Sequence, residues 1–221
     1  PVLSGNRKLR VFIDTWVGPG HPQGNGWLVD VSFTFKPGAG GGDPVPSAVI
    51  PLWDVSQFEV GDPAKPVAAA RPDRMVEIPA GARKVELHSF ITGHGQGNLQ
   101  NCAEFCPKTH SFTVGSMRFD RRVWRADCAT TAIPNQGGNW MPSRAGWCPG
   151  ALVTPWVEDV TAAAPAGGPV TVKYAPEPYE NTCRPGAPQC GGCAFNTGCA
   201  YNDGSHTSPS YAQSALLVIY K

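Results

Sequence analysis

The feature that most restricts how this chain can fold is a set of short, β-rich runs cut off from one another by glycine and proline. The runs are Lys8 to Asp14, Trp27 to Phe35, Val85 to Thr92, Thr109 to Val114, Val170 to Tyr174 and Ala215 to Tyr220. Most alternate apolar and polar residues with the period of two that a half-buried strand requires. Between them lie turn clusters such as Gly18-Pro19-Gly20, Pro134 to Gly138 and Pro165 to Pro169. No segment sustains the 3.6-residue period of an amphipathic helix. The expected class is all-β, an antiparallel β-sandwich or jelly roll. Glycine (26) and proline (23) are abundant among the 221 residues, which agrees with many turns, while an apolar share of 41% supplies a core.

Charge excludes some partners. Eighteen basic and seventeen acidic side chains leave a formal charge of +1, which is not the electrostatic footprint of a nucleic-acid binder. No apolar stretch approaches the length of a membrane span, and the first residues lack the basic-then-apolar pattern of a secretion signal. The chain reads as soluble and already processed. Its eight cysteines all follow residue 100 at short spacings. Cys190 and Cys193 form a single C-x2-C, whereas zinc ribbons pair two such units, so disulfides and a secreted or periplasmic location are the expectation. No cofactor is implied.

A break in composition at Pro37 to Pro46 (PGAGGGDPVP) has the character of a linker. It separates residues 1–36, with two strand candidates, from residues 47–221, which are long enough for a complete jelly roll. Two strands alone are marginal in water, so the leading pair needs cover from elsewhere.

Three linked segments carry a more specific signal: ITGHGQGNLQ from Ile91, NCAEFCPKTHSF from Asn101 and PNQGGNWMPSRAGWCPG from Pro134. Together they resemble the second jelly-roll domain of the bacterial peptide:N-glycosidase F family. The opening VLSGNRKLRVFIDTW (Val2 to Trp16) is similar to the end of that family's first jelly roll. The resemblance implies that residues 1–36 are closing strands of a domain whose remainder lies outside this chain, with the N-terminal fragment of the same precursor as an expected partner. It also implies a glycoamidase that cleaves the asparagine-linked glycosylamine of N-glycoproteins or glycopeptides. The decisive catalytic Asp of the family would lie in that first domain.

The resemblance assigns supporting carboxylates to Glu104, inside the C-A-E-F-C loop, and to Asp14, where the family has the longer Glu. Such a reaction calls for an acid to handle water and for polar and aromatic contacts to hold sugar. Arg144 and Trp147, with Trp16, would line the glycan cleft, where guanidinium donates to hydroxyls and indole packs on a pyranose. His94 would line it too, although Gly93-His94-Gly95 stands where the family has Trp between glycines. By the same resemblance Cys102 pairs with Cys106 and Cys128 with Cys148. Cys183, Cys190, Cys193 and Cys199 fall in an insertion, about 181–208, with no counterpart; two further disulfides of open connectivity are expected there.

Two rival functions follow from the same residues. A non-catalytic carbohydrate-binding or structural module would keep the fold without the reaction. A copper monooxygenase half would need clustered histidines, whereas His21, His88, His94, His110 and His206 are scattered and form no H-x-H pair.

Overall fold

The computed structural model describes residues 9, 11, 20, 22, 29–34, 45–96, 101–132, 140–182, 184 and 207–221. The chain divides into two units, Pro1–Pro44 and Val45–Lys221.

The second unit holds eight strands: β1 (Pro46–Glu59), β2 (Arg74–Ile78), β3 (Lys84–His94), β4 (Lys108–Val114), β5 (Met117–Val123), β6 (Trp156–Asp159), β7 (Gly168–Pro176) and β8 (Ser210–Tyr220). Two one-turn helices, α1 (Val67–Ala70) and α2 (Cys128–Thr131), accompany them. Pairing is nested and antiparallel: β1 with β8, β2 with β7, β3 with β6, and β4 with β5. Folding this nested ladder over gives two four-stranded sheets, β1-β8-β3-β6 and β2-β7-β4-β5. That is the strand order of a jelly roll.

The sequence alternation builds the core directly. Val85, Leu87 and Ile91 of β3 and Tyr211, Ala215, Leu217 and Ile219 of β8 point inward from one sheet. Phe112 and Val114 of β4 and Val170, Val172 and Tyr174 of β7 meet them from the other. Phe112 is the aromatic hub, with ring centroids 5.2 Å from Trp156, 5.1 Å from Tyr174 and 6.3 Å from Trp53. Each such side chain contributes on the order of 1.5–3 kcal/mol by leaving water. A polar set is enclosed at one end of this core. Arg71 donates to Gln213 Oε1 (2.5 Å) and to the Ser56 carbonyl (2.6 Å), and lies 4.5 Å from the Phe58 ring.

In the first unit the sequence alternation does not become a strand where it is described. Residues 29–34 were expected within a strand spanning Trp27 to Phe35, yet none is in one, and Val29, Val31 and Phe33 are exposed, as are Leu9 and Val11. The physical reason is that period-two patterning yields a strand only when a neighbouring backbone closes the ladder; among the described residues no such neighbour pairs with these six.

Candidate functional site

Beyond the sandwich, β3 runs on to His94 and meets two loops, one containing Glu104 and the other Arg144 and Trp147. Backbone contacts knit the three together. Ala103 and Glu104 N–H both donate to the Gly95 carbonyl (3.2 and 3.0 Å), Ala145 N–H donates to the Glu104 carbonyl (2.8 Å), and Gly93 N–H donates to the Ala145 carbonyl (2.9 Å). The approach is close enough to demand glycine. A Cβ on Gly93 would run into the Ala103 carbonyl, and one on Gly146, which has φ +77°, would run into the Ile91 carbonyl.

Two disulfides fix the loops. Cys102–Cys106 spans a separation of 4 residues around Glu104, and Cys128–Cys148 ties α2 to the residue after Trp147. So short a cystine ring leaves Glu104 little backbone freedom. Its carboxylate is held at both oxygens: Oε1 accepts from Arg144 Nη1 (2.8 Å) and Oε2 from Gly95 N–H (3.2 Å).

The pair is asymmetric in exposure. The Arg144 side chain is 4% exposed and that of Glu104 18%, so the cation is hidden and the acid reaches the surface. Arg144 is retained in the interior by two rings: its guanidinium carbon lies 5.1 Å from the Phe105 centroid and 4.7 Å from that of Trp147. Trp147 is itself oriented by its indole N–H, which donates to the Gly93 carbonyl at 2.8 Å. His94 stands beside it, ring centroids 5.3 Å apart and tilted by 32°, with Nε2 2.9 Å from Thr92 Oγ1.

Burial pushes the Glu104 carboxyl above the ordinary carboxylate value, against the Gly95 N–H and the Arg144 charge, which pull it down. Burial dominates, so Glu104 is a stronger proton acceptor than a solvated acid. Arg144 is lowered by the same desolvation, opposed by Glu104. The arrangement suits an acid that accepts a hydrogen bond from a hydroxyl, an amide or a water at the surface while a concealed cation keeps it aimed.

The structure thus brings Glu104, Arg144, Trp147 and His94 into one cluster. Asp14 and Trp16, and the cysteines at 183, 190, 193 and 199, lie outside the described residues. Sequence reasoning passed over Phe105, the second wall of the Arg144 sandwich, and the backbone groups of Gly93 and Gly95. The available signal was the aromatic next to Glu104 inside the cystine loop and the two glycines flanking His94.

Residues 66–189, more than half of the chain, match the family described as Peptide-N-glycosidase F, C terminal. A curated relative, the peptide-N(4)-(N-acetyl-beta-D-glucosaminyl)asparagine amidase F of Elizabethkingia miricola, is 28% identical over 188 residues, which cover 81% of this chain and 51% of the relative. The crystal structure of a peptide-N(4)-(N-acetyl-beta-D-glucosaminyl)asparagine amidase superimposes with a TM-score of 0.60 at 21% identity, over 79% of this chain and 52% of that one. The glycosylasparaginase PNGase F of Flavobacterium meningosepticum gives 0.59 at 21% identity, over 79% and 51%. The chain spans about half the length of these relatives, and the solved structures share its fold. With a matched segment that takes in Gly93, Glu104, Arg144 and Trp147, the chain belongs to the peptide-N-glycosidase F family, through that family's C-terminal domain.

Proposed function

We propose that this chain serves a glycoamidase reaction: hydrolysis of the amide that joins N-acetylglucosamine to an asparagine side chain. In that reaction water oxygen ends on the resulting aspartate, and the nitrogen leaves on the 1-amino sugar. The observation that carries the proposal is the partly exposed Glu104 carboxylate, fixed in a five-residue cystine loop and aimed by the buried Arg144. In this reading Glu104 touches substrate, accepting a hydrogen bond from the glycosylated amide or from water. Arg144 is a positioning residue acting through Glu104. Trp147 and His94 supply ring faces for the first sugars. In this reading the acid that drives attack is expected from a preceding jelly roll, with Asp14 as a supporting carboxylate and Trp16 as a further cleft aromatic.

The test is an N-glycopeptide labelled on its peptide, followed by fluorescence anisotropy for binding and by mass spectrometry for conversion of Asn to Asp. The chain is expected to bind the glycopeptide, and Glu104→Gln or Arg144→Gln to weaken it about tenfold, the value of a lost charge-assisted hydrogen bond. Release with Asn-to-Asp conversion makes the chain an amidase in its own right. Binding without release makes it a carbohydrate-binding module that has kept the site. An absence of binding, or equal binding by both variants, overturns the reading.

A further inference from the structure

Four arginines lie between residues 118 and 125, on β5 and just past its end, in a protein whose formal charge is only +1. They are not equivalent. Arg118 pairs with Asp120 (2.7 Å), and Arg125 forms a two-pronged pair with Asp127 (3.0 and 2.7 Å). Arg121 and Arg122, both exposed, have no carboxylate partner among the described residues. Arg121 instead lies 5.8 Å from the ring of Trp156.

Arg121 and Arg122 both line a cleft of about 290 Å³ at the open flank of the sandwich, where edge strand β5 faces edge strand β6, together with Arg125 and its partner Asp127. Opposite buried His110 in the ladder, Arg121 stands on the core-facing side with Trp156, and Arg122, opposite Thr109, on the other face of the strand. Trp124, half-buried, lines it with them, and Trp156 closes its inner wall. Ile91 and Gly146 line its other end. Through them the cleft adjoins the Glu104 cluster: Ile91 is two residues before Gly93, and Gly146 lies between Ala145 and Trp147. The run-out of β5 is also bonded to the clamp, since Arg125 and Arg144 exchange backbone hydrogen bonds of 2.8 and 3.1 Å. Two residues of strand cover about 7 Å, roughly the length of one sugar ring.

We propose that this cleft is a subsite for an acidic sugar, whose carboxylate or sulfate pairs with Arg121 while its ring packs on the indole of Trp124, with Arg122 adding charge from the outer face of β5. Unpaired guanidinium groups favour planar oxyanions, which they grip with two N–H donors. A half-buried indole supplies an apolar face for a pyranose. A volume near the lower limit of small-molecule pockets admits a sugar unit and excludes a folded partner. The placement beside Glu104 rests on the glycoamidase reading and deepens it: the enzyme would prefer N-glycans that carry a negative charge close to the core or folded back upon it. Anion binding in the cleft itself is independent of any amide cleavage.

The experiment therefore uses free oligosaccharides that lack asparagine. Titration calorimetry, with Trp fluorescence as a second readout, compares a sialylated N-glycan with its desialylated twin and with a glutamate-rich peptide. The sialylated glycan is expected to bind about tenfold more tightly than either, with an advantage that shrinks as ionic strength rises. Arg121→Gln removes most of that preference, and Arg122→Gln a smaller part of it. Because Arg121 also covers Trp156, Arg121→Lys keeps the packing and the charge and is expected to lie between wild type and Gln, with near-ultraviolet circular dichroism reporting the fold. The proposal is overturned if wild type does not distinguish the two glycans, if the preference survives in the Arg121→Gln, Arg122→Gln double variant, or if the peptide binds as well as the sialylated glycan. If the glycopeptide test fails while this preference holds, the cleft stands and the amidase reading falls.

Discussion

His110 shows how one residue in the core sets a pH limit for the whole domain. It is fully buried, its Nδ1 lies 2.6 Å from the Tyr174 hydroxyl, and its Nε2 has no hydrogen-bond partner among the described residues. Burial pushes the ring down from 6.5 to about 3. The neutral form is therefore the folded form, while the unfolded chain takes up a proton near 6.5. Stability from this residue is complete above that value and is lost as pH falls toward 3. The loss between about pH 7 and pH 5 comes to about 2 kcal/mol, and urea unfolding at the two values should show it, with His110→Gln flattening the slope. Glu86, lowered to about 2 chiefly by its bonds from Lys84 and His88, matters only in more acid solution, below the ordinary carboxylate value of 4.5. The same contrast between neighbours separates what was legible at the candidate site. Glu104, Arg144 and Trp147 could be named through the resemblance that their motifs carry, because each motif is a short local stretch of sequence. That Arg144 lies under Glu104 and between Phe105 and Trp147 is a contact across 40 residues of sequence, which no local pattern encodes.

At the scale of elements, the strands readable in the sequence and those that were not separate by position in the sheets. The runs at Val85, Thr109, Val170 and Ala215 became β3, β4, β7 and β8, the four interior strands. The strands passed over, β1, β2, β5 and β6, are the four edges. Interior strands are flanked on both sides, and alternation runs through β3 and β7 and through β8 from Tyr211 to Leu217. Edges tolerate proline, irregular register and charge. β1 contains Pro46 and Pro51 and shifts register three times against β8, and β5 is rich in arginine. Glycine makes a prediction at this scale. Gly81 and Gly146 share a positive φ, +79° and +77°, but a Cβ at Gly81 meets nothing within 4 Å while one at Gly146 meets backbone. Gly81→Ala should cost about 1 kcal/mol, the left-handed penalty alone. Gly146→Ala should cost at least about 2 kcal/mol more, because the Ile91 carbonyl cannot move without shifting β3. Equal melting points for the two variants would show that the loop carrying Trp147 is not held by this contact.

For the whole molecule, the deciding fact is where the core comes from. Among the described residues, every member of the main hydrophobic cluster lies between Leu52 and Ile219, inside the second unit. Residues 45–221 by themselves are therefore expected to unfold in one cooperative transition, with a midpoint within a few degrees of that of the full chain, as calorimetry can check. A broad, non-cooperative melt would place part of the stabilising core in residues 1–44. The sequence by itself determined the all-β class, the inward faces of the interior strands, the short cystine loop and, through linked motifs, the family, because each is written in patterns a few residues long. Only the tertiary structure decided the nested pairing of β1 with β8 down to β4 with β5, the burial of Arg144 beneath Glu104, and the meeting of edge strands β5 and β6 around arginines that have no carboxylate partner among the described residues. Those depend on which distant segments share a surface, and that is settled when two sheets close over one core.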